Sequence, residues 1–318
     1  MSVFLPMMME HLFNTPVALH PSKAEMICAA LSGRLNITSL ENASTRLDAR
    51  ALEDLALMGR KNLAFTNERV LDLEARRPSG GAQPQVSDVE GRPYDVVGRI
   101  AIIRIWGTLT RTWGVGPYSG STGYDGIQTQ ILYAQTDRAV DKIWLDINSG
   151  GGAVNGLFDL QQMIYSLSAR FGGKPIFAMA ADYAYSAAFA LMVAADRLFV
   201  PRTGGVGSVG CVAMVADLSK AMEEDGIKVT IVRSPDRKFR NNPIEGPDEK
   251  SLAHLQSQID ETTQIFQERV AECLDIPKSV VSETEGLDYM GRHAKAIGFV
   301  NEVMSEQQAW AQLEELTL

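Results

Sequence analysis

Between residues 99 and 232, short apolar runs alternate with segments whose apolar residues recur at helical spacing. The runs cover residues 99–105, 143–147, 175–180, 197–200, 211–215 and 228–232. Helical spacing covers 125–139, the stretch carrying Val154, Leu157, Ile164 and Leu167, then 186–194 and 218–225. Strands that alternate with helices are joined by crossovers, and a crossover returns the chain to a parallel neighbour. The order therefore predicts an α/β fold with a parallel-rich sheet covered by helices.

The flanks read differently. Residues 20–73 read as helical, with Ser22 as N-cap before Met26, Ala29, Ala30 and Leu31, then a periodic set at Leu47, Leu52, Leu55 and Leu63. Residues 76–93, RRPSGGAQPQVSDVEGRP, hold too little apolar surface to build a core. Expected boundaries are an N-terminal helical segment over 1–75, a flexible linker over 76–95 and a main domain over 96–318. That domain closes with a long helix carrying Leu252, Leu255, Ile259, Phe266 and Val270 at one face, followed by shorter helices.

Several function classes lose support. Thirty basic against thirty-nine acidic residues give a net charge of −9, which repels a phosphate backbone, so no nucleic-acid partner is expected. Cys28, Cys211 and Cys273 are far apart, and His11, His20, His254 and His293 never pair at ligand spacing, so neither a disulfide framework nor a metal site is expected. Residues 205–210 read as a Gly-rich turn that satisfies G-x-G-x-x-G but runs into a strand-like stretch instead of a helix, and there is no phosphate-binding P-loop, so no cofactor is expected. The N-terminus has no basic region before an apolar run, and no apolar stretch approaches the ~20 residues that span a bilayer. The run 187–195 reads as a buried helix.

Three loops could carry chemistry. Asn148-Ser149-Gly150-Gly151-Gly152 follows an apolar strand and opens a helix, where bare backbone N–H groups can hold an anion or a developing oxyanion; it reads equally as a tight turn needing positive φ. Ser186 opens a later helix, either as a nucleophile or as an N-cap. Lys238 lies in the loop RSPDRKFRNNP, where a lysine is ordinarily solvated; if the loop folds back and strips its water, the neutral amine becomes a general base. Arg237 stays protonated and cannot replace it. Lys228 reads as a strand residue, and His254, Asp146, Asp182 and Asp196 read as packing, capping or turn residues.

In order and context these segments resemble the serine–lysine peptidases of the signal peptide peptidase A family (S49), which includes head-maturation proteases of lambda-type phages. The matching stretches are Asn148–Gly152, Tyr185-Ser186-Ala187-Ala188, Thr203–Gly210 and Arg233–Pro243. Resemblance to the phage branch extends to Leu12–Pro16, Ala29–Gly33, Tyr118–Ile127 and Leu255-Gln256-Ser257. It implies a Clp/crotonase-like fold, Ser186 as nucleophile, Lys238 as base, Ser208 as the hydroxyl that holds the lysine, Gly151 and Ala187 as oxyanion-hole donors, and Gly150 and Gly152 along the substrate. Gly150 stands where the family has proline, and Pro235, Asp236, Arg237 and Arg240 stand where it often has small residues.

The resemblance further implies a homo-oligomeric endopeptidase acting on capsid scaffold and portal proteins in the host cytoplasm or procapsid, without a membrane anchor. Residues 76–93 are a plausible self-cleavage region, because flexible segments fit extended grooves. The alternatives are a signal-peptide-degrading peptidase, a catalytically silent capsid assembly factor, and a crotonase-type acyl-CoA enzyme.

Overall fold

The computed structural model of the chain describes residues 17–19, 39–41, 46–48, 92–112, 117–118 and 120–315. In chain order its strands are β1 (Val17–Leu19), β2 (Ser39–Glu41), β3 (Arg46–Asp48), β4 (Asp95–Val97), β5 (Ile100–Trp106), β6 (Thr108–Thr110), β7 (Pro117–Tyr118), β8 (Ser121–Gly123), β9 (Lys142–Ser149), β10 (Gly151–Ala153), β11 (Ile176–Tyr185), β12 (Arg197–Val200), β13 (Gly205–Gly207), β14 (Asp288–Met290) and β15 (Glu302–Val303). The helices are α1 (Tyr124–Thr136), α2 (Leu157–Ser166), α3 (Ala187–Met192), α4 (Ser219–Glu224), α5 (Glu249–Leu274), α6 (Lys278–Ser282), α7 (Gly291–Ala296) and α8 (Glu306–Glu315). Backbone packing divides the chain into a main body, Met1–Leu19 with Gln85–Leu318, and a second unit, His20–Pro84.

In the main body the large sheet runs β14-β13-β11-β9-β5-β4, with β12 beside the first half of β11 and β15 beyond β12. Pairings β5/β9, β9/β11, β11/β12, β11/β13 and β12/β15 are parallel, and only the edges β4/β5 and β13/β14 are antiparallel. A parallel-rich α/β fold is what the alternating sequence predicts. Both faces of the sheet are covered, so its strands are apolar almost throughout. Along β9 and β11, Ile143, Leu145, Ile147, Ile176, Ala178 and Ala180 join one core, which also receives Phe189 of α3 and Phe266 of α5. Between them, Trp144, Phe177 and Met179 point to the opposite face and pack with Phe199 and with Ala309 and Leu313 of α8.

The smaller sheet, β1-β10-β6-β8-β7, is built from continuations of the large one. β5 passes through Gly107 into β6, and β9 passes through Gly150 into β10. At Gly107, with φ 75°, a Cβ would stand 2.0 Å from Gly120 O, so only glycine permits the switch. Helix α5 starts where Asp248 accepts a hydrogen bond from Ser251 N–H at 2.7 Å. All six residues of α3 are buried, and among the described residues no helix is long and apolar enough to cross a membrane.

Three expectations are corrected. Residues 211–215 and 228–232 form no strand: Val212 and Met214 are isolated bridge residues, 228–232 is irregular, and β13 ends at Gly207. Residues 205–207, expected as a turn, pair as β13 with the end of β11. In the second unit, residues 39–41 and 46–48 pair antiparallel across Asn42–Thr45, a polar turn-forming stretch, where helix was expected. The rest of the expected helical segment and nearly all of the 76–93 linker lie outside the described residues, while Val17–Leu19 groups with the main body.

Candidate active site

Three adjacent parallel strands end at one level, at their carboxyl ends, where α/β sheets present ligands. β5 turns at Gly107, β9 at Gly151 with φ 97°, and β11 at Ser186 with φ 55°. Register holds them together: Trp106 is opposite Asn148, and Ser149 is opposite Ala184. Gly107 N–H donates to Asn148 O at 2.9 Å, and Ser149 Oγ donates to Gly107 O at 2.6 Å. β10 then runs so close to β6 that a Cβ on Gly152 would stand 1.9 Å from Leu109 O. The triple glycine is thus demanded by packing as well as by turn geometry.

Ser186 is a non-glycine residue held at positive φ, a conformation that costs on the order of 1–3 kcal/mol and persists where the surroundings enforce it. The enforcement is visible: Ser186 N–H donates to Gly207 O at 2.8 Å, and α3 behind it is wholly buried. Its side chain makes no cap bond, which removes the N-cap alternative. Oγ is buried with no hydrogen-bond partner, on a residue only 1% exposed. An unsatisfied buried hydroxyl costs about 1–3 kcal/mol, so the strand-to-helix turn presents an atom that folding alone does not require.

Ser186 and Gly151 each lie two residues past the Ala184–Ser149 pair, and β10, which Gly151 opens, packs against α3. Ala187 N–H lies in the first turn of α3 and has no intrahelical acceptor. Gly151 N–H donates to Ser149 Oγ at 3.1 Å, a hydroxyl that must turn aside before the amide can serve an oxyanion. Ser208 is buried at φ 57° immediately after Gly207, the register partner of Tyr185, and its N–H donates to Leu287 O at 3.0 Å. Six of the residues singled out from sequence, Ser186, Ala187, Ser208 and Gly150 to Gly152, therefore meet at these strand ends. Asn148 Nδ2 donates to Asp182 at 3.1 Å, and Asn148 Oδ1 is a second buried acceptor without a partner.

Lys238 is placed differently. It is exposed, and no hydrogen bond joins it to Ser186. Its loop is nevertheless built. Asn242, fully buried, donates to Phe239 O at 2.6 Å and accepts from Ile244 N–H and Glu245 N–H. Of the four cations in residues 233–240, Arg233 pairs with Glu245, Arg237 lies 3.6 Å from Asp248 and Arg240 lies 2.6 Å from Asp236. Among the described residues Lys238 has no such carboxylate. Lys228 is exposed on irregular chain and His254 is exposed on α5. Asp196 is a structural cap, accepting from Ala169 N–H and Ile176 N–H.

Sequence reasoning missed β1. Val17, Ala18 and Leu19 pair antiparallel with Ala153, Gly152 and Gly151. A run of three residues between Pro16 and Pro21 was too short to stand out. It also missed Tyr185, stacked on Tyr183 with ring centroids 5.2 Å apart, whose phenol is pushed up to about 12 by burial and by Asp288.

Comparison with known proteins supplies context for this geometry. Residues 169–317 match the model of Peptidase family S49. The chain is 32% identical over 306 residues to the Capsid assembly protease C of Escherichia phage lambda, covering 96% of this chain and 64% of that protein. It is 30% identical to the Head-tail preconnector protein GP5 of Enterobacteria phage P21, covering 93% and 54% respectively. A Putative signal peptide peptidase SppA of Enterococcus faecium is 22% identical, covering 59% and 54%. The chain thus spans between about half and two thirds of these relatives. Among solved structures, a ClpP1 variant from Listeria monocytogenes is similar with TM-score 0.40 and 16% identity, over 65% of this chain and 92% of that one.

Proposed function

We propose that this chain, whose residues 169–317 match the model of Peptidase family S49, is a serine endopeptidase with Ser186 as nucleophile and Lys238 as general base. The observation that carries the reading is Ser186 itself: a buried, unpartnered hydroxyl at positive φ where three parallel strands open. In the proposed reaction Ser186 Oγ attacks the scissile carbonyl while the neutral Lys238 amine takes its proton. Ala187 N–H and Gly151 N–H receive the oxyanion, the latter once Ser149 Oγ turns aside. The tetrahedral species collapses, the lysine returns the proton to the leaving amine, and water then releases the acyl group from Ser186. Closing the lysine loop over the strand ends would strip water from the ammonium and favour the neutral form. Ser208, beside Ser186, would hold the amine in place.

The relatives' names, a capsid assembly protease and a head-tail preconnector protein, favour substrates of the capsid scaffold and portal kind, met in the host cytoplasm or the procapsid. Exposed Ile227, Val229, Val232 and Phe239 on irregular chain favour a homo-oligomer in which a second copy covers them. Incubation of the protein and its Ser186→Ala form with the neighbouring capsid proteins tests the reading: fragments from the first alone support it, and equal patterns overturn it. The exposed Lys238 favours one second reading, a catalytically silent assembly factor. A serine-reactive phosphonate that labels the protein but not Ser186→Ala eliminates it.

A further inference from the structure

On the peptidase reading, an extended peptide would add to the outer edge of β10, and in this structure that edge is already taken. β10 has two neighbours: β6, parallel, through Gly152 and Leu109, and β1, antiparallel, through three register pairs. Among the described residues β1 is the end strand of its sheet. The chain runs from Val17 opposite Ala153, through Ala18 opposite Gly152, to Leu19 opposite Gly151. Gly151 opens β10, which packs against α3, the helix that follows Ser186. The N-terminal strand therefore runs toward the end of β10 that lies two residues past the Ser149–Ala184 register pair.

We propose that residues 17–19 are a built-in competitor for the peptide-binding edge of β10, paired antiparallel to it with Leu19 opposite Gly151. The proposal rests on the peptidase reading for the meaning of that edge and goes beyond it in naming the occupant. A strand added to a sheet edge is held by backbone hydrogen bonds that any peptide of the same direction can replace. Since β1 is tethered to the chain, it competes at a high effective concentration and lowers apparent affinity for a peptide without changing the chemistry. Three residues make a short ladder, so an added peptide with more contacts can displace it.

The test uses the full chain in its Ser186→Ala form and a fluorescent peptide of the sequence of residues 14–22, NTPVALHPS. Ala18→Pro and Leu19→Pro are added separately. In an antiparallel pair only alternate residues turn their N–H toward the partner, so one of the two prolines removes a ladder bond and the other does not. Anisotropy is expected to show the peptide binding about fivefold tighter to the first than to the parent, the worth of one hydrogen bond. The second is expected to stay near the parent. Equal affinity in all three proteins, or no binding to any, overturns the proposal. In the Ser186-intact chain the same proline should lower KM for the peptide and leave kcat unchanged. If binding follows this pattern while no variant cleaves, the competitor stands and the catalytic reading falls. If cleavage proceeds with KM unchanged by either proline, the competitor falls and the catalytic reading stands.

Discussion

The strand ends around Ser186 and the loop around Lys238 are built by different means. At the strand ends every turn is fixed by neighbours: Gly107 by Gly120, Gly152 by Leu109, Ser186 by Gly207. The lysine loop is fixed mainly by itself, through Asn242 and a set of surface ion pairs, and it leaves its candidate base in solvent. A sheet positions a nucleophile as a consequence of folding, whereas a loop laced by exposed pairs, each worth about 0–1 kcal/mol, can be re-posed by substrate or by a second subunit. On this view the setting of the candidate nucleophile is complete in one folded chain, and the candidate base would be brought to it on assembly or binding.

The largest effect expected from that contrast is on activity. Ser186→Ala should lower kcat by about 10^4-fold or more while leaving the circular dichroism spectrum unchanged. Lys238→Ala and Lys238→Arg should each lower kcat by roughly 10^2–10^4-fold with no change in Tm, since the side chain is exposed and unpaired. Peptide hydrolysis that survives in Lys238→Arg would place the base elsewhere and dissolve the comparison.

Backbone crowding separates the regions next. Gly152→Ala brings a methyl group against Leu109 O and should cost roughly 3 kcal/mol, read as a fall of several degrees in Tm together with lost activity. Gly210→Ala, with nothing within 4 Å of the new Cβ, should be close to neutral in both. Asn242→Ala should cost about 1–2 kcal/mol and lower kcat more than it raises KM, because it loosens the loop that carries Lys238 without touching the strand ends. An unchanged kcat there would mean that the loop's shape is immaterial to catalysis.

The same division governs what the sequence made legible. Apolar runs at 143–147 and 175–180 become β9 and β11 because those strands are buried on both faces, and their glycine and serine punctuation falls where packing requires it. Residues 211–215 and 228–232 carry β-branched residues too, yet the first makes only isolated bridges at Val212 and Met214 and the second is irregular, because strand pairing is a tertiary fact that no local pattern records. Ser186 is legible by its context, while its positive φ and orphaned Oγ are not, since both arise from β13, a strand mistaken for a turn. β1 is illegible for a further reason: three residues acquire strand geometry only because β10 offers them an edge.

The smallest effect comes from beneath the strand ends. Asp146, on β9 and bonded by Trp106 Nε1–H at 3.2 Å, has its carboxyl raised to about 7 from the usual 3.8, first by burial and next by Glu306, against the opposing pull of Arg104. A folded-state pKa above the unfolded value means that the folded chain holds this proton more tightly. Below pH 4 both states keep the proton and the group contributes no pH dependence. Between pH 4 and pH 7 the unfolded chain releases it first, so stability declines, and above pH 7 the loss is constant. Asp146→Asn should therefore match the parent in Tm at pH 4 and exceed it by a few degrees at pH 8, about 1–2 kcal/mol after allowing for the part of the side chain that still meets water. Thermal melts at pH 4, 6 and 8 decide it. A parent whose Tm advantage over Asp146→Asn grows with pH would mean that the ionised carboxylate is a wanted partner at the strand ends, and the nucleophile half would then be less self-sufficient than its backbone suggests.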